Sequence, residues 1–206
     1  MWRKRCQLCL RTSPRALCSA CWQQIPFLNT EQHSFLLSPG HPHIAYAPYI
    51  PPLKQILYLV KYQQASELAY VLGQFLGEWY QLHYPLPDMI VPIPLHADKL
   101  KQRGFNQAAQ LGKGLSDQLR KPCVDGLIRQ KETPPLYELN PQQRHEVLRE
   151  AFTLNSKVSL QDLRVLIVDD ILTTGSTLLS AIDCLKPSTE RIVSLTLARA
   201  LLDRES

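Results

Sequence analysis

The sequence predicts an α/β fold with a parallel sheet, preceded by a small cysteine-rich module. Two apolar runs, Met89–Ile93 and Val165–Val168, have the length and β-branched content of buried strands, and a helical pattern follows each of them. Strands that alternate with helices in this way form parallel sheets. A chain of 206 residues is long enough for one such domain and a small appendage.

The cysteine-rich module is predicted to span residues 1–30 and to bind Zn²⁺. Cys6 and Cys9 form one C-x2-C pair, and Cys18 and Cys21 form a second. Each pair places two thiolates on one tight turn, and two pairs complete a tetrahedral zinc site. The alternatives are two disulfides or four unrelated thiols. No segment approaches the ~20 apolar residues of a membrane span, so we expect a cytoplasmic protein, where structural disulfides are rare. Because protein ligands fill all four positions, the site is structural and does not readily activate water.

The same module is strongly basic. It contains five cations and no acid, and these cations equal the formal net charge of +5. They are Arg3, Lys4, Arg5, Arg11 and Arg15. One interpretation is a module that docks on single-stranded DNA or another polyanion. The other is local charge neutralisation, because Zn²⁺ with four thiolates carries a charge of about −2. Few aromatic residues are interleaved, so we favour neutralisation.

A proline-punctuated connector is predicted at residues 31–44, before a main domain of residues 45–206. Its histidines are interpreted as solvated loop residues, because four cysteines already provide a ligand set nearby. They are His33, His41 and His43.

The main domain is predicted to begin with a strand and two helices. Ile44–Tyr49 is the candidate strand. Apolar residues recur at three- and four-residue spacing from Leu68 to Trp79, which predicts an amphipathic helix. The preceding segment has a proline at a helix start and carries Lys54 and Lys61.

The strand at Met89–Ile93 is followed by a basic segment. The sequence predicts a loop here that ends at Gly104 and contains three cations, Lys99, Lys101 and Arg103. The next helix begins directly after it. A basic loop at the end of a strand, facing a helix N-terminus, suits an anion pocket.

The strand at Val165–Val168 is followed by two acids and then by a loop rich in hydroxyl groups. The acids are Asp169 and Asp170, and the loop consists of Thr173, Thr174, Gly175, Ser176 and Thr177. A Walker B strand also ends in acids, but no G-x4-G-K-[ST] occurs in the chain, and the dinucleotide motif G-x-G-x-x-G is absent too. A ribose 5-phosphate moiety fits better. Adjacent carboxylates can accept hydrogen bonds from its diol, and the loop can cradle its phosphate.

Two quoted stretches resemble a known family. "VLIVDDILTTGST" is similar to the phosphoribosyl-pyrophosphate (PRPP) loop of type I phosphoribosyltransferases, and "VPIPLHADKLKQRGFNQA" resembles the hallmark of the ComF family. The cysteine pairs and the "KY" at Lys61-Tyr62 fit that family as well. The resemblance implies a Rossmann-like type I phosphoribosyltransferase domain behind a zinc finger, with a link to natural transformation and DNA uptake in bacteria.

The resemblance also implies roles for individual residues. Asp169 and Asp170 would hold the ribose 2′- and 3′-hydroxyls, and residues 173–177 would bind the 5-phosphate. Mg²⁺ would bridge the pyrophosphate and the ribose hydroxyls, and Arg103 with Arg144 would stabilise the departing pyrophosphate. The catalytic residues would be Asp169, Asp170 and Arg103, and Lys61 is assigned to the PRPP site. The sequence identifies no acceptor.

Two hypotheses about function stay open. The family's third block usually carries a glutamine and an asparagine where this chain has Leu136 and Val147. The first hypothesis is a PRPP-dependent glycosyltransferase. The second is a non-catalytic PRPP- or single-stranded-DNA-binding adaptor of the DNA-uptake machinery.

Overall fold

The computed structural model describes residues 4–28, 30–63, 65–130, 151–189 and 191–201. Its main sheet contains β1 (Ser34–Ser38), β2 (His41–Pro48), β3 (Met89–Pro92), β6 (Val165–Leu172) and β7 (Ile192–Arg199). The spatial order is β1-β2-β7-β6-β3, with β1 antiparallel to β2 and the other pairs parallel. Two short strands, β4 (Leu127–Arg129) and β5 (Phe152–Leu154), pair separately. The predicted α/β fold with a parallel sheet is therefore confirmed.

Helices cover both faces of this sheet. They are α1 (Ser19–Gln23), α2 (Thr30–His33), α3 (Leu53–Tyr62), α4 (Ser66–His83), α5 (Ala97–Arg103), α6 (Gln107–Leu119) and α7 (Ser176–Leu185). One apolar core joins α3, α4 and α6 to one face, and a second core joins α7 to the other. The two cores hold the carboxyl ends of the parallel strands in a fixed arrangement, and open α/β sheets bind ligands at that edge.

The cysteine-rich module shares the core of the α4 side. Leu17 and Ile25 are buried there. The ring of Trp22 stacks between the rings of Tyr46 and Phe75, with centroid distances of 4.7 Å and 4.9 Å. This arrangement joins the module to β2 and α4 by apolar contact.

Two of the module's cations form ion pairs with α4. Lys4 lies 2.7 Å from Glu67, and Arg15 lies 3.5 Å from Glu78. These ion pairs are a third use of the positive charge, besides neutralisation of the zinc thiolates and contact with a polyanion. Both pairs are exposed, so each contributes little to stability.

The segment predicted as a connector contains regular structure. Residues 31–44 include most of α2, all of β1 and the first half of β2. The interpretation of His43 as a solvated loop residue is wrong, because its side chain is fully buried and hydrogen-bonded to Ser194 and Thr196 of β7. A buried imidazole is stable when both ring nitrogens have partners, and these partners lie about 150 residues away in sequence.

Two further elements differ from the sequence prediction. The basic segment after β3 is the helix α5 rather than a loop, and Gly104 ends it with a φ of +75°. Strand β6 continues four residues past Val168, through both acids to Leu172, because β7 pairs with it as far as Arg199.

Within the residues that the structure describes, none of the helices combines the length and the apolar composition that crossing a bilayer requires.

Candidate functional site

The two acids and the hydroxyl-rich loop lie together at the carboxyl end of β6. Asp169 lines a small crevice with the loop residues Thr173, Gly175, Ser176 and Thr177. The crevice forms because β6 extends beyond β3 and then turns directly into α7. The structure thus brings together the residues that the sequence assigned to a ribose and its 5-phosphate.

The two acids face opposite sides of β6. Successive residues of a strand project to alternate faces, so Asp169 lies on the α7 side and Asp170 on the α3 side. There Asp170 forms an ion pair with Lys61, with 2.9 Å between the ammonium nitrogen and the carboxylate oxygen. The two side chains are only 19% and 15% exposed, so solvent screens this pair less than a surface pair.

Asp169 has the most perturbed carboxyl group of the site. Burial, followed by the negative charge of Asp170, raises the pKa of Asp169 to about 7. Three groups oppose this shift: the backbone N–H of Asp170, which donates to Oδ1 at 2.8 Å, and the positive charges of Lys61 and Arg129. Asp169 is therefore easier to protonate than an exposed carboxyl group.

The hydroxyl-rich loop ends at the N-terminus of α7, an arrangement that suits a phosphate. The first backbone N–H groups of a helix have no acceptor inside the helix, and they carry a partial positive charge. Thr174 and Ser176 hold their hydroxyl oxygens 2.9 Å apart beside them. Gly175 precedes the helix with a φ of +79°, and a Cβ there would lie 2.7 Å from Leu37. Only glycine fits this turn without strain.

The basic helix α5 is held next to the end of β3 by Asn106. The Asn106 amide donates to the carbonyl of Ile93 at 2.9 Å, and its oxygen accepts the N–H of Ala108 at 3.0 Å, which caps α6. Arg103, the last residue of α5, donates to Gln107 at 3.1 Å. It forms no ion pair with either acid in the described part of the chain, and Arg144 lies outside the described residues.

Arg129 acts on Asp169 through its charge, although it is not among the site residues predicted from the sequence. It ends β4 and lies over the ring of Phe152 at 5.5 Å, where its charge lowers the pKa of Asp169. The sequence signal was weak, because β4 is only three residues long and one arginine in a basic stretch is usually solvated.

The four cysteines form a compact cluster. Their sulfur atoms all lie within 4.8 Å of one another, and Cys9 and Cys18 are 3.8 Å apart. A tetrahedron with Zn–S bonds of about 2.3 Å has edges of about 3.8 Å, so the donor set fits Zn²⁺. The distances exclude the disulfide alternative, since a disulfide brings sulfur atoms to about 2 Å. Burial of the Cys6 thiol opposes ionisation, but backbone N–H groups of Cys9 and Cys18 help lower its pKa to about 6.

A larger cavity, of about 460 Å³, lies at the other end of the sheet. It is lined by Tyr80, Tyr84, Arg164 and Arg191, and by the first residues of β6 and β7. The acids lie at the carboxyl end of β6, so this cavity is separate from the candidate site.

One family model and several known proteins are similar to this chain in sequence. A model of the family "Phosphoribosyl transferase domain" matches residues 106–201. "DNA utilization protein YhgH" of Salmonella typhi is 30% identical over 188 residues, which cover 85% of this chain and 76% of that protein. "Competence protein F" of Haemophilus influenzae is 34% identical over 139 residues, covering 63% and 60%. "Competence protein ComFC" of Bacillus subtilis is 26% identical over 155 residues, covering 74% and 62%.

Solved structures are also similar at low sequence identity. Adenine phosphoribosyltransferase from Leishmania tarentolae is 16% identical with a TM-score of 0.45, and the match covers 81% of this chain and 94% of that one.

Proposed function

The chain belongs to the ComF family of competence and DNA-utilization proteins with a phosphoribosyl transferase domain, and from this premise we propose that it binds PRPP at the end of β6. The observation that carries the proposal is the position of Asp169 beside the loop at the N-terminus of α7, with Asp170 next to it in β6. A carboxylate pair next to a phosphate cradle suits a ribose 5-phosphate. The relatives' names support a role in DNA uptake or utilization.

In this proposal the ribose lies across the end of β6. Its 2′- and 3′-hydroxyls donate to Asp169 and Asp170, and its 5-phosphate accepts from the N–H groups and hydroxyls of residues 173–177. Lys61 neutralises Asp170 in the free site, which reduces the repulsion that an anionic ligand meets there. We expect Lys61 to turn towards the ligand when the ribose hydroxyls reach Asp170.

Mg²⁺ would accompany the pyrophosphate of PRPP and would offset part of its charge. Arg103 is proposed to contact this group from the end of α5, with Arg129 and Arg144 as further cations. If a glycosyl transfer takes place, these cations stabilise the negative charge on the departing pyrophosphate. The acceptor is not identified, so a non-catalytic PRPP-binding adaptor is the second candidate.

We also propose that residues 1–30 form a zinc module and that the PRPP-binding domain follows it, with the hairpin of β1 and β2 as part of that domain. A cytoplasmic location accords with a cluster of reduced thiols.

Isothermal titration with Mg²⁺ and PRPP tests the binding proposal. Changing both Asp169 and Asp170 to Asn is expected to weaken binding by ~1–3 kcal/mol, or about 5- to 150-fold, because charge-assisted hydrogen bonds to the diol are lost. Asp183→Asn, which removes an exposed acid of α7 paired to Lys186, is the matched control and should bind as the wild type does. Unchanged affinity in the double variant would refute the ribose site.

A pyrophosphate-release assay on the same wild-type protein then separates the two candidate functions. Turnover with any nucleobase acceptor, abolished in the double aspartate variant, identifies a transferase. PRPP binding without release under these conditions favours the adaptor.

A direct role of the zinc module in binding DNA is less well supported. Lys4 and Arg15 pair with acids of α4, so Arg5 and Arg11 are the exposed module cations for which the described residues offer no ion pair. We expect weak binding of single-stranded DNA. The double variant Arg5→Gln/Arg11→Gln should make the slope of log K against log salt concentration less steep by at most about 1.4, at ~0.7 per lost phosphate contact. Filter binding over a range of salt concentrations measures this slope. A larger change would indicate that these residues order additional phosphate contacts.

A further inference from the structure

The cavity of about 460 Å³ at the amino ends of β6 and β7 has mostly apolar walls. Ile44 of β2, Leu166 of β6 and Ile192 of β7 line it, and all three are buried. Tyr80 and Tyr84, from the end of α4, add two aromatic rings. Cavities of this size, lined by apolar and aromatic side chains with a few polar groups, are typical of small-molecule sites.

The rim of the cavity carries two exposed arginines, of which one is already paired. The guanidinium of Arg164 donates to both carboxylate oxygens of Asp88, at 3.2 Å each. This pairing lowers the pKa of Asp88 to about 2, so the pair stays ionised at neutral pH. Arg191 forms no ion pair with any residue that the structure describes. The rim therefore offers one positive charge to a ligand, which suits a single carboxylate better than a chain of phosphates.

The Tyr84 hydroxyl is a second polar group of the cavity. Its oxygen is buried and makes no well-formed hydrogen bond within the described part of the chain. Burial raises the pKa of Tyr84, and the side chain of Ser34 offsets only part of this effect, as a weak partner does. The Tyr80 hydroxyl, by contrast, donates to the carbonyl of Pro85 at 3.2 Å. A buried hydroxyl without a good partner costs free energy, and a ligand that bonds to it removes this cost.

We propose that this cavity binds a small aromatic carboxylate. The apolar walls require an apolar body, and an aromatic ring packs well against the rings of Tyr80 and Tyr84, whose centroids lie 5.3 Å apart. The carboxylate pairs with the guanidinium of Arg191 at the rim, and a polar substituent of the ring bonds to the Tyr84 hydroxyl. The cavity shares no lining residue with the crevice at Asp169, so the proposal does not rest on the proposed function.

The first test locates an aromatic anion on the wild-type protein. Anilinonaphthalene sulfonate is a suitable probe, but it also binds loosely packed chains, so its position must be measured directly. In methyl ¹H–¹³C spectra we expect saturable shifts at Ile44, Leu166 and Ile192, and none at Ile171 beside the acids. Shifts centred on Ile171, or spread evenly over the protein, would overturn the proposal.

The second test asks whether Arg191 selects a charged ligand. Arg191→Gln should weaken binding of the sulfonate probe about fivefold, as expected for an ion pair at a partly exposed position. Binding of the neutral analogue phenylnaphthylamine should stay the same. Arg120→Gln, at an exposed arginine that does not line the cavity, is the matched control and should change neither affinity. Equal effects of Arg191→Gln on the two probes would refute the charge pairing.

Competition against the bound probe then tests the class of ligand. Naphthoate should displace the probe from the wild-type protein at a lower concentration than neutral naphthamide does, and this preference should disappear in Arg191→Gln. Equal displacement by the acid and the amide would refute a carboxylate site. Added Mg²⁺ and PRPP should leave the probe in place, because the acids lie at the opposite end of the sheet. Displacement by PRPP would show that the probe reports on the other site and would refute the assignment to this cavity.

A hydroxyl group on the naphthoate tests the contact with Tyr84. Hydroxynaphthoate should compete better than naphthoate in the wild-type protein, and the two should compete equally in Tyr84→Phe, which keeps the ring and removes the hydroxyl. Phenylnaphthylamine binding monitors the integrity of the cavity in this variant. An advantage of hydroxynaphthoate that persists in Tyr84→Phe would refute the role of this hydroxyl.

Discussion

Cys6→Ser is expected to release Zn²⁺ and to unfold the cysteine-rich module. The free energy of binding a structural zinc is on the order of 10 kcal/mol, and in small modules it supplies the folding energy. The Cys6 sulfur is fully buried and accepts the N–H of Cys18 at 3.5 Å, so its loss removes both a ligand and a link between the two cysteine pairs. Elemental analysis and near-ultraviolet circular dichroism measure the two effects.

Cys184→Ser is the matched control for this experiment. Cys184 is a half-buried thiol of α7, remote in sequence from the cluster, and its replacement should leave the zinc content at one ion per chain. Reduced, freshly purified wild-type protein that contains no metal would contradict the zinc assignment. Retention of metal and of the aromatic dichroism in Cys6→Ser would contradict the assigned ligand set.

Trp22→Ala is expected to lower the free energy of unfolding of the whole protein by about 3 kcal/mol, as large-to-small substitutions of packed aromatic side chains do. Its ring fills the space between Tyr46 of β2 and Phe75 of α4, so the substitution opens a cavity between the module and the sheet domain. Urea unfolding followed by far-ultraviolet circular dichroism gives the change, because α4 contributes to that signal.

Phe27→Ala controls for the loss of an aromatic residue from the same region. Phe27 is 69% exposed, so its replacement should change the stability by less than about 0.5 kcal/mol. Equal effects of the two substitutions would show that Trp22 does not join the module to the domain. A loss confined to the module, with α4 unaffected, would show that the two parts unfold independently.

Local patterns in the sequence were sufficient to predict the main strands and helices. The run Val165–Val168 and the spacing from Leu68 to Trp79 each report on one strand or one helix, because burial of one face imposes a period on neighbouring residues. The cysteine pairs are equally local, since each pair of ligands belongs to a single turn. These features predicted the sheet, the helix α4 and the compact cluster of sulfur atoms.

Contacts between distant residues could not be predicted in this way. The burial of His43 depends on two hydroxyls of β7, and the partner of Lys61 lies on β6. A histidine among prolines has no local pattern that distinguishes a core residue from a loop residue. Arg129 likewise acquires its relation to Asp169 only when the short strand β4 is placed beside the sheet.

The alternation of Asp169 and Asp170 across β6 gives the two acids different neighbours without making them independent. The ammonium of Lys61 on α3 lies 2.9 Å from Asp170 and also lowers the pKa of Asp169, while the charge of Asp170 raises that pKa. A substitution at Lys61 therefore acts on both carboxyl groups at once, so an engineer who alters the charge of this pocket also alters its pH dependence.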